Sequence, residues 1–166
     1  MATKEKTAVI SILVNNEVNV LTRISGLFGR RGYNITSFTA SPTNNPSQSR
    51  ITIVTTCDER KLDQILTQTA KLESVIHISL MARDDSIYRE LLLVKIKAGK
   101  KERSDIMEIV NIYRGRIVNL SKKSLIVELT GSSDKLDGFL NMVSCYDLLE
   151  VCRTGITGIY KGDEGF

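Results

Sequence analysis

The chain has 166 residues, enough for one ordinary domain or two small ones. Its hydrophobic fraction of 42% supports a packed core, and nowhere does it approach the ~20 consecutive apolar residues of a membrane span. The net charge of +4 is mild and spread along the chain; it could help docking to an acidic partner but is weak evidence for nucleic acid, which is not expected as a partner.

Residues 7–14 (TAVISILV) are rich in β-branched side chains and read as a strand. From Val20 the apolar positions Leu21, Ile24, Leu27 and Phe28 form a helical stripe, and Gly32 suits the left-handed position after the helix. Residues 33–41 read as a second strand, 42–47 as a turn-rich loop and 49–57 as a third strand. Asp58 is placed to cap a helix carrying Leu62, Ile65 and Leu66, and residues 74–82 read as a fourth strand.

The second half repeats this order. Residues 89–98 form a strand, followed by a helix with Ile106, Ile109, Val110 and Tyr113, which Gly115 breaks. Residues 116–120 and 124–130 read as a hairpin around 121–123. Ser132, Ser133 and Asp134 offer caps for a helix with Leu136, Phe139, Leu140 and Val143, and 148–159 reads as one closing strand. Each half therefore spells β-α-β-β-α-β. The fold class is α+β, two tandem ferredoxin-like domains, divided at polar residues 83–86 into 1–83 and 84–166. Val9, Ser11 and Leu13 alternate with Ile10, Ile12 and Val14, so the first strand is apolar on both faces. On that ground a second copy of the chain is expected to cover one face.

Little in the chain carries reaction chemistry. His77 is the single histidine and sits in a strand, so it reads as a surface or satisfied polar residue, and no catalytic triad can be assembled. No carboxylate pair or metal-ligand set stands out. Asp84 and Asp85 read as solvated. Cys57, Cys145 and Cys152 are odd in number and far apart. They are expected to be reduced, mostly buried thiols of a cytoplasmic protein, and the polar residues 1–7 do not read as a secretion signal. Gly26, Gly29 and Gly32 fall within and at the end of a helix, so they read as close helix packing plus a cap rather than a dinucleotide fingerprint. The pairs Arg30–Arg31, Lys100–Lys101 and Lys122–Lys123 read as solvated element ends. The third strand lacks the exposed aromatics that RNA recognition on this topology requires.

The junction Val14-Asn15-Asn16-Glu17-Val18-Asn19-Val20-Leu21 is the remaining candidate. Two readings stand. Asparagines cap helices and tolerate positive φ, so it can be a capped turn. Alternatively, backbone N–H groups and the helix dipole hold a carboxylate there, with Asn34, opening the next strand, accepting an ammonium group.

The stretch 10–56, with NNEVNVLTRISGLFGRRGYNI and SPTNNPSQSRITIVT, resembles the ACT domain of the acetolactate (acetohydroxyacid) synthase small-subunit family. Residues 89–96, 113–115, 135–140 and 153–158 resemble that family's C-terminal domain. The resemblance implies an N-terminal ACT domain and a non-catalytic regulatory subunit with no cofactor and no metal of its own. Thiamine diphosphate, Mg²⁺ and FAD belong to the catalytic large subunit. It also implies activation of that subunit, feedback inhibition by valine or another branched-chain amino acid, and effector sites where two ACT domains pair in a homodimer. The C-terminal domain is the expected contact to the large subunit. Carried over residue by residue, the effector positions are Asn16, Val18, Asn19, Val20, Leu21, Asn34 and Ile35, with no catalytic residue. Asn19 stands where the family has glycine. This leaves as alternatives an activator without valine response and a free-standing amino-acid sensor; a small ferredoxin-like enzyme is a third class.

Overall fold

The computed structural model describes residues 5–163. The elements follow the order β1 (Lys6–Asn15), α1 (Val20–Arg30), β2 (Ile35–Pro42), β3 (Gln48–Cys57), α2 (Glu59–Thr69), β4 (Val75–Met81), β5 (Ser86–Lys97), α3 (Glu102–Ile112), β6 (Arg116–Leu120), β7 (Ser124–Gly131), α4 (Ser133–Val143), β8 (Leu148–Arg153) and β9 (Thr157–Tyr160). The first sheet runs β2-β3-β1-β4 and the second β6-β7-β5-β8, with β9 paired to β5. Both orders are ferredoxin-like.

The described chain divides into two compact units, residues 5–87 with 156–163 (unit 1) and residues 88–155 (unit 2). The run expected as one closing strand is thus two strands. The break falls at Gly155, whose φ of +82° is left-handed backbone that suits glycine and interrupts a ladder. Residues after it return to unit 1, so the sequence division at 83/84 assigns the last strand differently from the packing.

In unit 1, β1 lies between β3 and β4 and pairs antiparallel with both. Ile10, Ile12 and Val14 face the helices and pack with Ile24, Phe28 and Ile51, among others. Each such buried side chain contributes roughly 1.5–3 kcal/mol. The opposite face is also buried within one chain, with Ser11 at 0% and Val9 and Leu13 at 7% exposure. Residues 156–161 supply part of that cover, because Arg50 Nη1 donates to the Gly158 carbonyl at 3.3 Å and Ser79 Oγ lies 2.5 Å from the Tyr160 hydroxyl. A two-faced apolar strand therefore does not by itself call for a second copy.

Gly32 takes the position after α1 with φ +67°, as its place in the sequence predicts. Gly26 and Gly29 do not mediate close helix packing. A Cβ at Gly29 would meet nothing within 4 Å, and one at Gly26 would meet the Arg30 guanidinium at 3.3 Å. Among the cysteines only Cys57 is buried, which pushes its thiol pKa up; Cys145 and Cys152 are exposed, and all three are free. The expectation of mostly buried thiols fails because β8, which carries Cys152, has an exposed middle.

Asp58 caps α2, its carboxylate accepting the Lys61 backbone N–H at 2.8 Å. That bond, first among its causes, holds the carboxyl below the ordinary carboxylate range. A carboxyl depressed in the folded state stabilises the fold above its unfolded pKa, and the stabilisation is lost as pH falls through the folded value. Asp58→Ala is therefore expected to be less stable than the parent at neutral pH, and the difference should shrink below about pH 4. Denaturant melts at stepped pH check this; a gap that persists undiminished in acid would rule out the cap as its cause.

In unit 2, Leu92, Val94 and Ile96 of β5 pack with Ile106, Val110 and Phe139. Tyr113 meets Phe139 edge-on at 5.6 Å. The helix break after α3 is made by two residues, not one. Arg114 takes the left-handed conformation at φ +54°. Gly115 is needed for close approach, since a Cβ there would lie 3.2 Å from the Glu128 carbonyl oxygen. Glu90, at 4% exposure, is a buried acid on β5. Its carboxylate takes a hydrogen bond from Ser133 of α4 and pairs with Arg153 of β8. Arg153 also reaches Asp137 at 2.5 Å. The Glu90 bond, first among its causes, raises the guanidinium pKa further.

Candidate functional site

β1 stops at Asn15, and the chain turns into α1 within four residues. Asn16 fixes the turn. Its backbone N–H donates to the Ser47 carbonyl at 2.8 Å and its Nδ2 to the Pro46 carbonyl at 3.1 Å. Asn16 is thereby a brace to the β2–β3 loop. Asn19 is the N-cap residue of α1, with φ 71° and ψ 4°, and its side chain makes no capping hydrogen bond. Left-handed backbone is tolerated by asparagine better than by most residues. The early helix amides, those of Leu21 and Thr22, have no intrahelical acceptor and receive none from Asn19. No acidic side chain sits in the first turn of α1, so no carboxylate within the helix offsets the positive end of its dipole.

An open cleft of about 400 Å³ lies at this helix start. Asn16, Glu17, Asn19, Val20, Leu21 and Thr22 line one side, and Ala40, Ser41, Pro42 and Ser49 line the other. Val20 is buried at 5% exposure and anchors the helix, whereas Leu21 is 45% exposed and presents an apolar surface. Residues of the helix start, an apolar wall and one acidic residue, Glu17, thus line a common space. Such a set can hold a small zwitterion, its carboxylate on the helix start and its ammonium toward Glu17.

Of the residues singled out from sequence, Asn16, Asn19, Val20 and Leu21 come together here. Val18 is 86% exposed and does not line the cleft. Asn34 and Ile35 are not brought to it within one chain. β1 and β2 both pair antiparallel with β3, so they run parallel and the cleft sits at the Pro42 end of β2. Asn34 precedes the other end, where its carbonyl accepts from Thr55 Oγ1 at 2.6 Å. β2 has 8 residues, so at about 3.3 Å each its ends lie roughly 25 Å apart. Sequence reasoning missed Glu17, Ser41 and Ser49. Glu17 had a signal, being an acidic residue between two asparagines at a helix start.

His77 is exposed on β4, and Asp84 and Asp85 are exposed. Among the described residues, no group of three His, Cys, Asp or Glu side chains is placed to hold a metal ion, and no helix is long and apolar enough to cross a membrane.

Comparison with known proteins adds a second line. Residues 10–77 match the family model for the AHAS small subunit-like ACT domain, and residues 89–162 the model for the small subunit of acetolactate synthase. The chain is 40% identical over 157 residues to the acetolactate synthase isozyme 3 small subunit of Salmonella typhimurium, covering 94% of this chain and 96% of that one. It is 39% identical over 155 residues to a probable acetolactate synthase small subunit of Archaeoglobus fulgidus, covering 93% and 97%. The crystal structure of an acetolactate synthase small subunit from Thermotoga maritima superposes with a TM-score of 0.88 at 30% identity, covering 96% of this chain and 99% of that chain.

Proposed function

Because this chain belongs to the family of acetolactate synthase small subunits, we propose that it is the non-catalytic regulatory subunit of an acetolactate synthase. It binds a separate catalytic subunit and raises that subunit's output. The observation that carries this reading is that the relatives match it over nearly their whole length and its own.

The cleft at the start of α1 is the effector site in this reading, and a branched-chain amino acid such as valine is the ligand. The helix amides take the carboxylate, Glu17 the ammonium, and Leu21 part of the aliphatic side chain. Pairing of two chains completes it. β2 is an edge strand of its sheet. Antiparallel pairing of two such edges about a two-fold axis sets the start of one β2 against the end of the other. Asn34 of a second copy is thereby carried toward the cleft that its own chain places out of reach. Inhibition then follows if valine binds one arrangement of the holoenzyme better than the active one. The protein works in the cytoplasm, where its thiols stay reduced.

Asn19 favours a second reading, an activator without valine response. Its side chain makes no cap bond and lines the cleft where the ligand would lie. Asn19→Gly suits the observed φ of 71° and removes that obstruction. It is expected to tighten valine binding at least several-fold, read by isothermal titration. Unchanged affinity in a chain that binds valine would show that Asn19 does not restrict the cleft. Co-purification with the catalytic subunit separates both readings from a free-standing amino-acid sensor. The isolated chain is expected to turn over no pyruvate.

A further inference from the structure

We propose that Arg50 is a positioning residue that links the cleft to the chain's last strand, so that filling the cleft holds residues 156–161 against the first sheet. The proposal rests on the reading of the cleft as the effector site and adds how that site signals.

The geometry lies in two consecutive residues of β3. Ser49 lines the cleft. Arg50 follows it, so its side chain emerges on the other face of the strand. There its Nη1 donates to the Gly158 carbonyl at 3.3 Å. Arg50 is also opposite Ser41 across the β2–β3 ladder, and Ser41 lines the cleft as well. A ligand that draws the helix start toward the wall formed by Ser41 and Ser49 therefore acts on two direct neighbours of Arg50, one along the strand and one across the ladder.

The held segment has the properties of a movable strap. β9 is 4 residues long, and Ile159 within it is 59% exposed. Besides its pairing with β5, it is held by Arg50, by the Ser79–Tyr160 contact at 2.5 Å, and by Lys161, whose N–H donates to the Asp85 carbonyl and whose Nζ donates to the Asp84 carbonyl, both at 2.8 Å. The face beneath is imperfectly satisfied. Ser11 lies opposite Ser79 across the ladder, and its hydroxyl is buried with no hydrogen-bond partner. A four-residue strand in which Thr157 and Ile159 face solvent opens at lower free energy than the sheet core. It is also where signal is useful, because residue 155 is the last of unit 2 and residue 156 re-enters unit 1. Whatever fixes the strap fixes the point at which the chain leaves unit 2.

Linkage makes the coupling two-way: a ligand that favours the docked strap must bind less well when the strap is loosened, by the same factor. The test uses the full chain and valine as the probe. Hydrogen exchange of the 156–161 amides is expected to slow about fivefold or more on saturation with valine, together with slower exchange at residues 16–22. In Arg50→Ala the change at 16–22 should persist while that at 156–161 disappears, and valine should bind about fivefold or more weakly. Arg50→Lys, which keeps one donor, should restore part of both. Tyr160→Phe should quicken exchange of 156–161 and weaken valine binding without touching the cleft. Should Arg50→Ala fail to fold, the Lys and Phe variants decide the question by the same readouts. Protection at 16–22 with none at 156–161 overturns the relay and leaves the cleft reading standing. Protection at neither place overturns both.

Discussion

Replacing Arg153 by alanine is expected to be among the most damaging single changes in the chain, lowering the unfolding free energy by about 3 kcal/mol. Glu90 is 4% exposed, and its charge is compensated by Arg153 of β8. Removing one partner of a buried pair leaves the other charge desolvated, which costs about 3–5 kcal/mol in general. The lower end applies here for two reasons. The Ser133 hydroxyl still donates to Glu90, and the Arg153 side chain is 28% exposed, so the pair was never fully dry. For a chain of this size the loss corresponds to roughly 6–12 °C in melting temperature. Asp137→Ala serves as control. Its side chain is 61% exposed, so losing that contact should change stability by less than about 1 kcal/mol. Glu90→Gln combined with Arg153→Met should recover much of the loss, because no buried charge remains. Equal effects of Arg153→Ala and Asp137→Ala would show that the buried acid does not depend on the pair.

Phe28→Ala is the second large effect, expected at about 3–5 kcal/mol. The ring is fully buried beneath α1 and meets Tyr33 edge-on at 6.0 Å. This loss is also expected to be functional. Phe28 lies in the same helix whose first turn offers the cleft amides. A cavity beneath it lets the helix shift, and any valine response should weaken with it. Phe28→Leu keeps most of the volume and should retain both stability and response to within about 1.5 kcal/mol. Denaturant melts paired with valine titration of each variant check this. A Phe28→Ala chain that loses stability yet responds to valine as before would show that the seating of α1 does not set the cleft.

The parts legible in the sequence are those set by local chemistry. The strand-to-helix junction at 14–21 reads correctly because the apolar period changes there and asparagine accepts the left-handed turn that Asn19 adopts. Asp58 announces its helix by the same kind of local rule. What escaped depends on where strands lead. Residues 148–159 alternate well enough to pass for one strand, and only Gly155 marks the point where the chain leaves one unit for the other. Asn34 is close to the junction in sequence, but β2 runs parallel to β1 and leaves it at the far end. Burial of both faces of β1 is visible in its composition. The supplier of part of that cover, the chain's own end, is not. Glycines at 26 and 29 have a packing-like spacing, yet their side of α1 meets little.

The central claim is that this chain governs a reaction carried out on another polypeptide. Acetolactate output of the purified catalytic subunit, measured with and without equimolar chain and with and without valine, tests it most directly. Output should rise several-fold when the chain is added, and valine should reverse that rise, or do so in Asn19→Gly. Output indifferent to the chain, or pyruvate consumed by the chain alone, would contradict it.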